Sequence, residues 1–377
     1  MKILLVSDIF YPHVGGVSEH MFNLWKCLKS KSNDIKVLAP SFGINKPYDD
    51  PDFVRIGRAF KFPINKSISV IAIGISISRQ VREFLDQQNF DIIHIHGPLS
   101  PVLQYYALKY SRTTNIITYH CAHESSLGYL LAEPILEQYD RKLHGRIAVS
   151  SVARDSVARY FHGEYTIIPN GIDTKRFNPD NPPLPDLNSG GPRILFLGRF
   201  EPRKGLKYLL RAFSRVVEEF PDAKLIIAGQ GILGKHYRIY INDRLKNNII
   251  IKDNIANQLL PRLYASCDIF CSPATGAESF GIVLLEAMAS GKPIVATDIS
   301  GYRQVMTQGK EGYFCLPGNY KSLAERIIAM LSDRERQKEM GANGRKKALN
   351  FDWDIISNKV IEYYQNIMSK RNNVCGV

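Results

Sequence analysis

Two stretches combine glycine with charge in a way that suits a sugar or a phosphate. Gly198-Arg199-Phe200-Glu201-Pro202-Arg203-Lys204-Gly205 lies between an apolar strand signal and a helical one. At such a junction the free N–H groups and positive end of the helix attract phosphate. Arg199 can grip phosphate oxygens as a fork, and Lys204 adds a point charge. A solvated basic loop is the plain alternative, but the position at a strand end favours phosphate. The second stretch runs from Gly276 to Glu286, with Glu278 in its loop and Glu286 eight residues on, after Val283-Leu284-Leu285. A carboxylate among apolar neighbours costs free energy unless hydrogen bonds satisfy it. The vicinal hydroxyls of a ribose or hexose would supply them. An acid serving the helix dipole would explain Glu278 but not Glu286.

Gly15-Gly16 follows the first strand, where glycine permits positive φ and close approach of an anion. His120 ends a strand, between Tyr119 and Cys121. It reads equally as a core histidine and as a catalyst facing a ligand. His94 and His96, on Ile-His-Ile-His, read as structural. Gly229-Gln230-Gly231-Ile232-Leu233-Gly234 matches a dinucleotide fingerprint formally, with Asp253 downstream. It follows a later strand of its domain, so a glycine loop facing a sugar or phosphate is the better reading. Asp352-Trp353-Asp354 precedes a helical stretch and reads as an N-cap rather than a metal site. No other histidine or carboxylate cluster suggests a metal. Six scattered cysteines without a Cys-x-x-Cys pair read as core thiols.

Strands alternating with helices must position these residues. Strand signals fall at 2–6, 35–39, 90–96, 116–119, 146–150 and 165–168, and again at 193–197, 224–228, 249–251, 269–272 and 293–297. Helical spacing covers 17–30, 74–87, 103–110, 206–220, 280–290 and 355–369. The alternation predicts parallel α/β sheets, with ligands outside the carboxyl ends of the strands. Asn178–Pro192, with five prolines, is the expected linker. A chain of 377 residues suggests two domains. Two such domains would face each other across a ligand cleft. At 45% hydrophobic and 23% charged residues, the composition excludes disordered, collagenous and coiled-coil chains. No apolar run reaches the ~18 residues of a membrane span, and the first residues lack a signal-peptide pattern. The expected location is cytoplasmic, with peripheral attachment to the cytoplasmic membrane face open to it. The net charge of +13 is uneven. Residues 1–186 carry 21 Lys and Arg against 18 Asp and Glu, and residues 187–377 carry 28 against 18. Nucleic acid, anionic membrane and nucleotide diphosphate would all suit the second half. Nucleic acid is disfavoured by the absence of interleaved aromatic residues in a recognisable module.

Together, Gly15-Gly16-Val17, Ile168-Pro169-Asn170-Gly171-Ile172-Asp173, Gly198-Arg199-x4-Lys204-Gly205 and Glu278-x7-Glu286 resemble the retaining group-4 glycosyltransferases of GT-B fold. The resemblance covers nearly the whole chain and is closest to the phosphatidylinositol mannosyltransferases. Gly57-Arg58-Ala59, Pro63-Ile64-Asn65, 144–150 and 275–283 look like that subfamily. The resemblance implies two Rossmann-like doubly wound domains, 1–169 with 353–371 for the acceptor and 170–352 for the nucleotide sugar. The last helix would cross back to the first domain. It implies Arg199 and Lys204 on the donor diphosphate and Glu286 on the ribose. Glu278, with the backbone of Phe280, Gly281 and Ile282, would orient the donor sugar and β-phosphate. Gly16 would admit the diphosphate, and His120 would lie near the reacting carbon. Asn65, Ser67 and His120 are the acceptor-side candidates.

The implied reaction moves a hexose, mannose from GDP-mannose foremost, to a phosphatidylinositol-type lipid with retention and without metal or other cofactor. The alternatives are a soluble or polysaccharide acceptor with a GDP- or UDP-sugar donor, a hydrolysing nucleotide-sugar epimerase, and a non-enzymatic nucleotide-binding module. A lipid acceptor would require weak peripheral membrane association. Ser67–Phe84 offers Val70, Ile71, Ile73, Ile75 and Ile77 for it, with Arg79 and Arg82 adjacent. Burial of the same residues in a core is the competing expectation.

Overall fold

Ile3-Leu4-Leu5-Val6 and Leu225-Ile226-Ile227 show no polar alternation because their strands are covered on both faces. All seven side chains are fully buried. The computed structural model describes residues 1–377 except 14, 44–48, 65–66, 98–101, 121–136, 188–189, 230–236, 238, 242–243, 254 and 376–377. Side chains of 62–64, 67–69 and 374–375 are likewise left undescribed.

The chain divides into two compact units, Met1–Gly171 with Trp353–Val377, and Ile172–Asp352. The first unit holds β1 (Lys2–Val6), β2 (Asp34–Ser41), β3 (Phe53–Ile64), β4 (Ser67–Ile73), β5 (Ile92–His96), β6 (Thr114–Tyr119), β7 (Gly145–Ala148) and β8 (Thr166–Ile167). Their order is β4-β3-β2-β1-β5-β6-β7-β8. Every pairing is parallel except β3 with β4. The second unit holds β9 (Arg193–Leu197), β10 (Lys224–Gly229), β11 (Ile249–Asp253), β12 (Ile269–Ser272), β13 (Ile294–Thr297) and β14 (Gly312–Cys315). These form an all-parallel sheet in the order β11-β10-β9-β12-β13-β14.

Alternate residues of β1 supply two different cores. Leu4 and Val6 join the layer that includes α2 (Ile77–Asp86) and α3 (Leu103–Tyr110). Ile3 and Leu5 join the layer built by α1 (Gly16–Ser30) and the terminal helix. In the second unit, α4 (Leu206–Glu219) and α6 (Tyr320–Ser332) share a core with β9 and β10, while α5 (Ile282–Ala289) follows β12. The terminal helix, α7 (Trp353–Cys375), buries Trp353, Ile356, Val360, Tyr364 and Ile367. That spacing is one helical face.

Three expectations are corrected. The antiparallel β3–β4 ladder was not foreseen; it takes up Ser67–Ile73 and divides the apolar stretch between core and surface. Val70 and Ile77 are buried, whereas Ile73 and Ile75 are 43% and 92% exposed. The proline-rich 178–192 segment lies inside the second unit and is not a linker. It is pinned there by the Leu184 amide on Ser266 Oγ (2.8 Å) and by Arg262 on the carbonyls of Pro182 and Pro183. Gly15 has extended backbone rather than positive φ, and Gly16 is simply the first residue of α1. Asp352 immediately precedes the terminal helix, at the position expected of an N-cap, and also receives hydrogen bonds from the amide and hydroxyl of Thr174. Cys27, Cys267, Cys271 and Cys315 are free thiols, the last three buried.

Gly171 makes room for α7. A Cβ there would sit 2.5–2.8 Å from three atoms of the Trp353 ring. Gly171→Ala should therefore push the ring from its site and destabilise the first unit by about 1–3 kcal/mol, the usual cost of overpacking. Both tryptophans, Trp25 and Trp353, belong to this unit. Urea unfolding followed by tryptophan emission reads it directly, and an unchanged midpoint would contradict the packing.

Candidate active site

In the second unit, β9 and β12 are neighbours whose connections leave in opposite directions along the sheet. Such a switch point opens a crevice at the carboxyl ends of the two strands. The loop after β9 carries Arg199, Arg203 and Lys204, and the loop after β12 carries Glu278. Gly205 lets the two loops touch. Its φ is 74°, and a Cβ would fall 1.8 Å from the Pro273 carbonyl oxygen. The Thr275 amide then donates to the Arg203 carbonyl at 2.8 Å.

Glu278 is the meeting point of this cluster. Lys204 Nζ and Arg203 Nη1 both donate to its Oε1 at 2.6 Å. Arg203 Nε also reaches Glu201 Oε2 at 2.9 Å, and Arg199 Nη1 pairs with Glu201 Oε1 at 3.1 Å. Burial pushes the Glu278 carboxyl towards its neutral form, but Lys204 and Arg203 outweigh that and hold it below the usual range. Among these five groups three are cationic and two anionic, which leaves one positive charge in excess. Gly301 permits the backbone at Glu278 to lie close, since a Cβ would stand 1.9 Å from the Glu278 carbonyl oxygen.

Glu286 lies on α5, half-buried, and accepts from the Tyr264 hydroxyl at 2.7 Å. This gives the carboxylate the partner that spacing alone left unexplained. Burial, and then the Glu286 charge, drive the Tyr264 pKa well up. Gly281 caps α5, and the following first-turn N–H groups have no acceptor within the helix. Gly231–Gly234 and Asn65 lie outside the described residues. Ser67 is described only as the backbone start of β4, paired with Ile64.

The first unit has its own switch point, between β1 and β5. Gly16 begins α1, and His20 follows one turn later. A Cβ added at Gly15 or Gly16 would meet no described atom within 4 Å. His96 ends β5 and His120 follows β6. His96 Nδ1 and His120 Nε2 are 3.3 Å apart. His20 packs edge-on to His120, with ring centroids 4.6 Å apart, and its Nδ1 meets Asn170 Oδ1 at 2.9 Å. His94 is the structural histidine that the sequence suggested. It bonds Tyr364 at 2.6 Å and Thr118 at 2.7 Å. His96, also read as structural, instead adjoins His120. Burial lowers the pKa of all four rings, that of His20 to about 4 and the others well below the ordinary value. The sequence reading missed His20, Asn170 and Arg203. His20 stands four residues after Gly16, and that one-turn spacing could have revealed it.

Known proteins place this architecture in a class. Residues 179–347 match the family described as glycosyl transferases group 1, and residues 14–176 match Glycosyltransferase Family 4. A glycosyltransferase from Rickettsia africae superposes with a TM-score of 0.78 at 21% identity, covering 97% of this chain and 98% of the other. The chain belongs to these family 4, group 1 glycosyltransferases and has their two-domain GT-B fold. Within that class it is 32% identical over 369 residues to the phosphatidyl-myo-inositol mannosyltransferase of Mycolicibacterium smegmatis, covering 97% of this chain and 94% of the relative. It is 24% identical over 380 residues to the GDP-mannose-dependent alpha-(1-6)-phosphatidylinositol monomannoside mannosyltransferase of Mycobacterium tuberculosis, covering 96% and 97%.

The buried histidines set a pH dependence. Their folded pKa values lie below the unfolded value of 6.5, so the unfolded chain binds more protons as pH falls. Their stabilising effect is complete above about 6.5 and is lost progressively below it, down to about 4 for His20. Each ring should cost about 1.4 kcal/mol per pH unit within its window. Urea unfolding read by tryptophan emission should show the first unit weakening steeply between about pH 7 and pH 5. Constant stability over that range would mean the rings are not held neutral.

Proposed function

We propose that this enzyme transfers a mannosyl residue from GDP-mannose to a phosphatidylinositol-type lipid, with retention of configuration and without a metal. The observation that carries the donor half is the charged cluster at the β9/β12 switch point, with its one excess positive charge. Arg199 and Lys204 hold the diphosphate and stabilise the charge that develops on it as the glycosidic bond breaks. Among the described residues no hydrogen bond reaches Glu278 Oε2, so that oxygen can accept from a donor-sugar hydroxyl while Oε1 holds the cations. The Phe280–Ile282 backbone meets the β-phosphate, and Glu286 takes the ribose hydroxyls. Gly16, open on its Cβ side, admits the diphosphate. His120 contacts the sugar near the reacting carbon. The leaving phosphate oxygen is the base for the acceptor hydroxyl. Similarity to the two mannosyltransferases supports the sugar and the lipid class.

The acceptor half also has support on the surface of the first unit. Phe60 is 49% exposed and pairs with Ile71, which puts Ile73 diagonally across the same ladder face. Ile75 follows at 92% exposure. Arg79 and Arg82 face Glu83 and Asp86 within α2, at 3.7 and 3.6 Å, so most of their charge is balanced locally. Among the described residues no helix is long and apolar enough to cross a membrane. Attachment is therefore proposed to be peripheral and mainly apolar.

Lys204→Ala should lower turnover by about 10²–10³, the scale of losing one preorganised charge-stabilising group. The fold should survive, because Arg203 still neutralises Glu278. Near-normal turnover at saturating donor would show that the diphosphate lies elsewhere.

Vesicle co-sedimentation tests the acceptor side. Phe60→Ser with Ile75→Ser should abolish binding to phosphatidylinositol vesicles, while Arg79→Gln with Arg82→Gln should weaken it only modestly. Transfer to a water-soluble acceptor by a protein that never binds vesicles would replace the lipid reading.

A further inference from the structure

We propose that His20, His96 and His120 form a site for a single divalent transition metal of the zinc class, with water as fourth ligand, and that filling it withdraws His120 from sugar transfer. The second half rests on the reading of His120 given above; the first does not.

One ring nitrogen from each of the three residues lies within 4.8 Å of the others. They come from α1, the end of β5 and the residue after β6, so three separate elements of the first unit converge. His96 is fully buried, His20 is 3% exposed, and His120 reaches the surface at 8%. Three histidines with an open fourth position are a recurrent zinc donor set, whereas carboxylate-free sites do not suit magnesium or calcium.

The spacing favours the metal over a proton. The 3.3 Å between His96 Nδ1 and His120 Nε2 is long for a hydrogen bond. It is also close to the ~3.4 Å that separates two nitrogens on a tetrahedral zinc with bonds of about 2.0–2.1 Å. A metal entering this gap needs a lone pair from each ring. Whichever ring now donates there moves its proton to its own other nitrogen, and no net proton is lost. For His96 that shift displaces no partner at the other nitrogen. Its Nε2 is buried and has no hydrogen-bond partner among the described residues, so no bond at that nitrogen is broken.

His20 is already oriented. Its Nδ1 donates to Asn170 Oδ1, which leaves the lone pair on Nε2. His94 supplies the contrast within the same cluster. Its ring centroid is 4.0 Å from that of His96, but both of its nitrogens are engaged, by Tyr364 and Thr118. It is a packing neighbour and not a ligand.

Cobalt(II) titration of the full chain, free of any polyhistidine tag, tests the site. One equivalent should bind with the visible d–d bands of a tetrahedral nitrogen site, and zinc should displace it. His96→Gln and His20→Gln should each weaken binding by more than the roughly 10–100-fold that an outer-shell change costs, and Asn170→Ala by about that amount. Far-ultraviolet circular dichroism and tryptophan emission establish that each variant is folded. A folded wild-type chain that gives no such band would overturn the site, as would full-strength binding in folded His20→Gln. Transfer should fall as zinc fills the site and recover with chelator. Full transfer by a zinc-saturated enzyme would remove His120 from the reaction while leaving the metal site standing.

Discussion

Parallel strands cannot be joined by tight hairpins; each needs a crossover that returns the chain to the same edge of the sheet. In both units this constraint sends the functional loops to one end. It gathers Gly16, His20, His96 and His120 around β1 and β5, and Arg199, Lys204 and Glu278 around β9 and β12. The β11-β10-β9-β12-β13-β14 order is the doubly wound arrangement used for nucleotides. The chemistry is therefore placed by connectivity before any side-chain contact is made.

The two switch points are electrically unlike. In the second unit Glu278 remains ionised because two cations share one of its oxygens. That arrangement fixes the side chains of Arg203 and Lys204 in advance, so on the proposed reading little reorganisation would be left for a diphosphate. In the first unit the histidines are stripped of charge by burial. A neutral ring beside a sugar can accept or donate a hydrogen bond without repelling an oxocarbenium-like carbon.

Much of this was legible in the sequence, for physical reasons. Apolar runs at 2–6, 193–197 and 224–228 are buried on both faces and could hardly be anything but central parallel strands. Arg199, Lys204 and Glu278 stood out because charge beside glycine at a strand end has few structural uses. Arg203 lies in the same segment, but only the folded loop shows it on the Glu278 oxygen. His20 was hidden by its helix, where a buried histidine on an apolar face looks like packing. The β3–β4 hairpin was missed because Phe53–Ile64 mixes Arg, Lys, Gly and Pro with its apolar residues. Proline suggested a linker at 178–192, yet Leu184 and Leu187 are buried there. Composition alone does not separate a packed irregular segment from a mobile one.

The assignment of Trp353–Val377 to the first unit has a consequence for how the protein is made. A ribosome delivers the amino end first, and domains generally fold as units during synthesis. Here the first unit emerges without Trp353, Ile356, Val360, Tyr364 and Ile367, which complete one of its two core layers. His94 likewise waits for Tyr364. The intervening Ile172–Asp352 contains its whole sheet and core and can close at once. Between Gly171 and Trp353 lie 181 residues, counted from 172 to 352. At about 5–20 residues per second these take roughly 10–40 s to translate. For that interval the amino-terminal half stays unfinished while the second unit is still being made. The second unit thus has all of its residues before the first does, although the first begins earlier.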